Sequence, residues 1–289
     1  MVEPITKFQY IDADGGVTEL NDFIHTWDVS GQKNFYNLPF ALNAFESPLT
    51  PGESVTSVKT KAREVDYPML ITAANPKEFI EKMRSLAAAL NPDKGAGVLR
   101  VSHATTYARE LRCRYVRGLE GNGNGKGWSP QTGLVVLTFR ASDPFFYPVT
   151  WKTQTFTLSA PVNFFPFFPL RLTQDSIFSS TTVTNEGDSI AYPVWTITGP
   201  CTSARLKNMT TGEEIEVTLT VSGGVTMEID TRPGIKSVTS SGANYFYALS
   251  STSVLWGLQR GANELQLELG NTDANTRVEL KWKEPFLSW

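Results

Sequence analysis

Most of this chain alternates apolar and polar residues with a period of two, the spacing of a half-buried β-strand. Leu111, Cys113 and Tyr115 fall on one side of such a segment, with Glu110, Arg112 and Arg114 on the other. Val135, Leu137, Phe139 and Ala141 line one side of a second. Between the two lies EGNGNGKGWSPQT, residues 120–132, whose Gly and Asn content cannot hold regular structure and reads as the tip of a long hairpin. From about residue 192 short alternating segments recur between turns. They run near Tyr192–Thr198, Ala204–Met209, Glu214–Val221, Thr226–Asp230, Tyr245–Ser250, Leu255–Gln259, Glu264–Leu269 and Val278–Trp282. Ile215, Val217, Leu219 and Val221 point inward in the third, and Leu265, Leu267 and Leu269 in the seventh. Strands of this length and spacing predict an antiparallel sandwich or jelly roll.

One stretch changes period. Asn75 is a good N-cap, Pro76 suits the first helical position, and Glu78 can close a capping box. Phe79, Ile80, Met83, Leu86, Ala87 and Leu90 then recur at steps of three and four, predicting a helix over 75–90 with that stripe buried. Glu78 and Lys82 make an i,i+4 pair, and Asn91–Pro92 ends the element. The chain thus predicts a mainly β (α+β) protein in two parts. Residues 1–148 form an N-terminal β domain with one helix and a long hairpin. Residues 149–289 form a β-sandwich whose opening stretch, 149–191, is a connector or edge strand, because PVNFFPFFPL has too many prolines for a central strand.

Composition narrows the function. With 289 residues, 40% apolar and 19% charged, the chain can bury a core in each part. A net charge of −3 argues against nucleic acid or anionic membrane as the main partner. No apolar run reaches the roughly 20 residues of a membrane span, and the first residues lack the pattern of a signal peptide. Charge is uneven: Lys94, Arg100, Arg109, Arg112, Arg114 and Arg117 face a single acid, Glu110, within residues 94–117. Arg112 and Arg114, on the polar side of their strand, are therefore expected to meet solvent or another chain.

Catalytic and cofactor chemistry finds no footing. The two histidines, His25 and His103, stand without a second His or Cys nearby to complete a metal site, and Cys113 and Cys201 are far apart with no metal-ligand spacing. In GNGNGKG, Gly125–Lys126 is followed by Gly127 where a phosphate-binding loop needs Ser or Thr, and the last glycine of GxGxxG is missing. Glu213 with Glu214 borders a turn, and Glu228 with Asp230 reads as the solvated face of a strand rather than a glycosidase pair. No enzyme activity, metal or cofactor is expected. The aromatics are more telling: DPFFYPVTW and NFFPFFPL concentrate them, and core packing, a subunit interface and a sugar-stacking platform are the readings they allow. Phe145, Phe146 and Tyr147 join Arg112 and Arg114 as candidate interface residues.

The order of four segments resembles the distal tail proteins (Dit) of long-tailed, non-contractile bacteriophages. These are the helix ending in AAALNPDKGAGVLRV, the strand ending in FRASDPFFY, the stretch NEGDSIAYPVWTITGP, and the turns in LKNMTTGEEIEV, MEIDTRPG and LQRGANELQLEL. The resemblance spans residues 70–289. It implies a galectin-like C-terminal sandwich and a structural virion protein of the tail tip. In this family the N-terminal domain forms a homo-hexameric ring joining the tail tube protein to the tail tip or hub protein, with tape-measure protein and DNA passing through the channel. It implies no catalytic residues, synthesis in the host bacterial cytoplasm and no membrane insertion. No large insertion interrupts the second half, so the extra carbohydrate-binding modules of some relatives are not expected. A lectin-like carbohydrate-binding protein is the alternative, because a galectin-like sandwich with exposed aromatics could hold sugar. The second half lacks, however, the cluster of His, Arg, Asn and Trp that true galectins use.

Overall fold

The computed structural model describes residues 6–22, 24, 26–29, 31–46, 51–104, 107–120, 128–157 and 177–289. His25, most of the 120–132 loop and the PVNFFPFFPL run lie outside them. The chain divides into two compact units, Met1–Val149 with Phe286–Trp289, and Thr150–Pro285. The last four residues thus re-enter the first unit.

The first unit holds β1 (Thr6–Ile11), β2 (Val17–Glu19), β3 (Thr26–Asp28), β4 (Phe40–Glu46), β5 (Glu53–Thr60), β6 (Arg63–Thr72), α1 (Pro76–Ala89), β7 (Gly97–His103), β8 (Tyr107–Arg117), β9 (Trp128–Ser129), β10 (Thr132–Ala141) and β11 (Tyr147–Pro148). The main sheet runs β2-β1-β7-β8-β10-β6-β3 with antiparallel pairing throughout. Alternation sets its faces. Val135, Leu137, Phe139 and Ala141 of β10 and Leu111 and Cys113 of β8 are buried, as the period-two pattern requires. They share one core with Phe8, Tyr10, Val65, Tyr67, Met69, Leu99 and Val101.

Helix α1 begins as the sequence predicts. Asn75 Oδ1 accepts the Glu78 amide at 2.9 Å, and Glu78 reaches back to the Ala74 amide at 3.0 Å. Lys82 and Glu78 pair at 2.9 Å. The buried stripe is narrower than expected: Phe79, Leu86 and Leu90 are buried and Met83 packs partly, but Ile80 is 58% exposed and Ala87 is exposed. The helix rests on the inner face of β10 through Phe79, and a Cβ at Gly133 would lie 2.9 Å from the Phe79 ring. That close seat rotates Ile80 and Ala87 toward solvent. Phe79 also meets Trp128 edge-on at 5.9 Å.

The second unit is the expected sandwich. Its strands are β12 (Lys152–Thr157), β13 (Ile177–Asn185), β14 (Val194–Thr198), β15 (Cys201–Asn208), β16 (Glu213–Val221), β17 (Thr226–Asp230), β18 (Ser237–Ser240), β19 (Ala243–Asn244), β20 (Gly261–Gly270) and β21 (Arg277–Trp282). They form sheets of order β12-β21-β14-β17-β18-β19 and β13-β20-β15-β16. Both contribute to one core, where Trp195 stacks on Phe156 at 6.3 Å and meets Trp256 edge-on at 5.6 Å. Two expected strands are absent. Tyr245–Ser250 carries a single 3-10 turn at Phe246–Ala248, and Leu255–Gln259 makes only an isolated bridge, Leu258 to Ala191. The chain there lies along the open edge of β16 instead, with the Ser250 amide donating to Glu216 O at 2.9 Å, Val254 to Glu214 O at 2.9 Å, and Ser253 Oγ accepting the Glu216 amide at 2.9 Å. That covers an edge that would otherwise be free to pair.

Candidate assembly surfaces

Of the 23 large apolar side chains left exposed among the described residues, 16 belong to the first unit and 7 to the second. The densest group is on β4 and β5. These strands pair with each other from Phe40↔Thr60 to Glu46↔Glu53 and with no other strand among the described residues. Every β5 residue is exposed, and so are Phe40 (56%), Leu42, Phe45 (64%), Val55 and Val58 (63%). A lone two-stranded ribbon is marginal in water, and each of its strands presents an open edge. This arm has the apolar surface and the unpaired backbone of an element made to be covered.

The second surface is the outer face of the main sheet. Trp27, Leu70 and Leu134 form one cross-strand row over β3, β6 and β10, with Val136 and Val116 exposed nearby on β10 and β8. Arg112 and Arg114 lie on this side of β8, both exposed as the alternation predicts, and neither is in an ion pair among the described residues. Arg114 sits directly opposite Arg140 of β10, a like-charge pair that is unfavourable unless something anionic meets it. Arg140 in turn holds Glu64 of β6 at 3.2 Å. Beside Arg140, a cleft of about 550 Å³ opens at the root of the arm, lined by Asn34, Pro39, Lys59, Lys61, Glu64 and Arg140.

The aromatic run after β10 has a different job. Phe146 is fully buried, which removes it as an interface residue: it exchanges backbone hydrogen bonds with Phe286 at 2.9 and 2.8 Å. Phe145 and Tyr147 are half-buried, and Tyr147 Oη donates to Asp143 at 2.8 Å. Together with the run, two arginines clamp the returning C-terminal segment. Arg63, wholly buried and without a carboxylate partner among the described residues, donates to Leu287 O at 2.6 Å and lies over the Phe146 ring at 5.0 Å. Burial brings its pKa down to about 10. Arg109 covers the Phe286 ring at 3.5 Å and donates to Ser288 O. Trp289 completes the cluster against Phe8 and Tyr36. Nothing in the sequence pattern announces this clamp, because it joins residues more than 170 positions apart.

Groups with chemical potential are held in structural roles. His103 shares a hydrogen bond with Thr6 Oγ1 at 2.9 Å. Cys113 and Cys201 are buried free thiols, Cys113 pushed up to about 12 by desolvation. No group of three His, Cys, Asp or Glu fit to hold a metal ion occurs among the described residues. Glu228 is exposed as expected, but Asp230 is buried and grips Arg232 Nε at 3.0 Å. On the outer face of the four-stranded sheet, Arg205 is 2.8 Å from Glu216 and 3.7 Å from Glu268, and Lys207 is 3.3 Å from Glu268. Arg205 and Lys207 are thus held by carboxylates of their own sheet.

A family model described as siphovirus-type tail component, C-terminal domain (SPP1_Dit) matches residues 186–286. Among solved structures, the chain is similar to the Dit (gp 19.1) protein of SPP1, described as a paradigm of the hub adsorption apparatus in phages infecting Gram-positive hosts. The TM-score is 0.69 at 15% identity, covering 98% of this chain and 100% of that one. It is also similar to a chain of the phage P2 baseplate in its activated conformation with Ca, with a TM-score of 0.56 at 12% identity over 98% of each chain. No curated protein sequence matches. At these identities the structural likeness establishes the fold, and the family model covers about a third of the chain.

Proposed function

We propose, for a chain whose residues 186–286 match the siphovirus-type tail component family and whose whole length has the fold of a distal tail protein, that it is a structural protein of a phage tail tip. In this reading six copies form a ring through their first units. The ring joins the tail tube to the tip or baseplate hub, around a channel for the tape-measure protein and later DNA. Virion assembly follows synthesis in the host cytoplasm. The arm carries the reading: an exposed ribbon with five large apolar side chains and two open edges is costly in a monomer and useful in an oligomer. The outer sheet face, with its apolar row and the exposed Arg112 and Arg114, supplies a second surface for a neighbouring subunit or the tube. The sandwich of the second unit has its own core and is not called on for the ring contacts in this reading.

Native mass measurement combined with negative-stain imaging tests this. Six-fold rings with a central hole are expected. A chain that stays monomeric at every concentration, and that is not found as a ring in tail-tip images, would overturn the ring reading.

A further inference from the structure

We infer that the acidic end of the β4–β5 arm of one copy docks into the basic cleft at the root of the arm on the next copy. The inference rests on the assembly reading and assigns its contact. At the last pair of the described ribbon, away from its root, Glu46 faces Glu53 directly, both exposed. Like charges placed opposite on a two-stranded ribbon repel, and neither has an ion-pair partner among the described residues. At the root, Lys59, Lys61 and Arg140 line the 550 Å³ cleft, with Glu64 as its one acid. Lys59 and Lys61 are likewise exposed and without an ion pair. Arg114, opposite Arg140, extends the basic field. The cleft thus carries a formal excess of two positive charges, and the arm end carries two negative ones.

One chain cannot satisfy both ends by itself. Six residue steps separate Phe40 from Glu46, so the arm end stands about 20 Å from the root. A paired ribbon does not fold back over that span, and at physiological salt the two ends are screened from each other beyond about 8 Å. The matching charges therefore fit a second copy of this chain. The apolar side chains between the two ends, Leu42, Phe45, Val55 and Val58, would be covered along the way. The clefts and arm ends supply register and orientation, and the apolar stretch supplies adhesion.

The test is a charge swap in the full chain. One variant carries Lys59→Glu with Lys61→Glu, the other Glu46→Lys with Glu53→Lys; Arg140 is left alone because it holds Glu64. All four sites are exposed and unpaired, so circular dichroism and melting should match the wild type. In sedimentation measurements at physiological salt, each variant alone should raise the concentration at which the oligomer dissociates by about tenfold or more. Both sets of changes in one chain should return it to within about threefold of wild type. Single variants that assemble like wild type, or a combined variant weaker than either, overturn the contact while leaving the ring reading intact. A cleft variant that assembles normally but loses binding to a short DNA duplex makes the cleft a phosphate site and overturns the contact equally. A monomeric wild type overturns the ring reading and this contact together.

Discussion

The seat of α1 gives a sharp test, because neighbouring apolar residues on one helix are assigned opposite fates. Leu86 is 6% exposed and Ile80 is 58% exposed, although periodicity puts both on one stripe. Leu86→Ala removes covered carbons from the core of the first unit and should cost about 2–5 kcal/mol. Ile80→Ala removes three carbons that are less than half covered. At about 0.8 kcal/mol per buried CH₂ the loss is roughly 1 kcal/mol, and the better helix propensity of Ala returns about 0.4 kcal/mol. The net cost should be near 0.5 kcal/mol. Because the chain has two units, a single unfolding transition is not a clean measure of either. Native-state hydrogen exchange, read on the amides of α1 and β6 at concentrations where the protein is monomeric, isolates the first unit. Ile80→Ala costing as much as Leu86→Ala would refute the helix orientation described here. If the difference between the two variants is seen for the monomer but shrinks in the assembled state, Ile80 is covered by a neighbour rather than by its own chain.

Three further outcomes are expected. Phe45→Ser with Val58→Ser on the arm should leave the melting of the monomer unchanged and weaken its assembly, as sedimentation will show. Deleting residues 286–289 should lower the protection of β8 and β6 in hydrogen exchange, since Arg63 loses its shortest acceptor and Phe146 its two backbone bonds, while the strands of the second unit keep theirs. Asp12 accepts Lys94 Nζ at 2.8 Å and the Gly16 amide at 2.7 Å, and the Lys94 ammonium foremost holds its carboxyl below the usual range. A depressed carboxyl value stabilises above the unfolded-state value and loses that effect as pH falls through the folded one. Asp12→Asn should therefore lower the melting temperature at neutral pH, with the difference shrinking as pH falls through and below the usual carboxylate range.

The parts of the fold that the sequence made legible are those with one wet and one dry face. Strands β8, β10, β16 and β20 bury every second residue, so period two is written into them, and α1 announced itself through Asn75, Pro76 and Glu78. The missed elements lack that contrast. Strands β4 and β5 are exposed on both faces, so no alternation marks them. Strand β6 contains Pro68, which argues against a strand between two partners. The structure admits it because β3 ends at Asp28↔Met69 and the chain beyond meets Pro68 only through its carbonyl, which accepts the Val29 amide at 3.2 Å. The candidate site divided the same way. Arg112 and Arg114 could be placed on a polar face from their own strand alone. Phe146 could not be assigned to the core from its neighbours, because what buries it arrives from Phe286, and the basic cleft joins residues from three separate stretches of chain.

The chemistry of the arm also limits the symmetry of what it can build. Two arms lying antiparallel about a two-fold axis can set each acidic end in the other copy's cleft of Lys59, Lys61 and Arg140, a reciprocal contact that closes on a dimer. Passed on from one copy to the next instead, the same pairing is a head-to-tail contact that repeats. Such contacts close into a ring when the rotation per copy divides a full turn and otherwise run on as a filament. The arm chemistry alone admits a ring, a filament or a reciprocal dimer, and the choice of a ring belongs to the proposed assembly. A two-fold dimer as the largest stable species would keep the arm-to-cleft contact and overturn the ring.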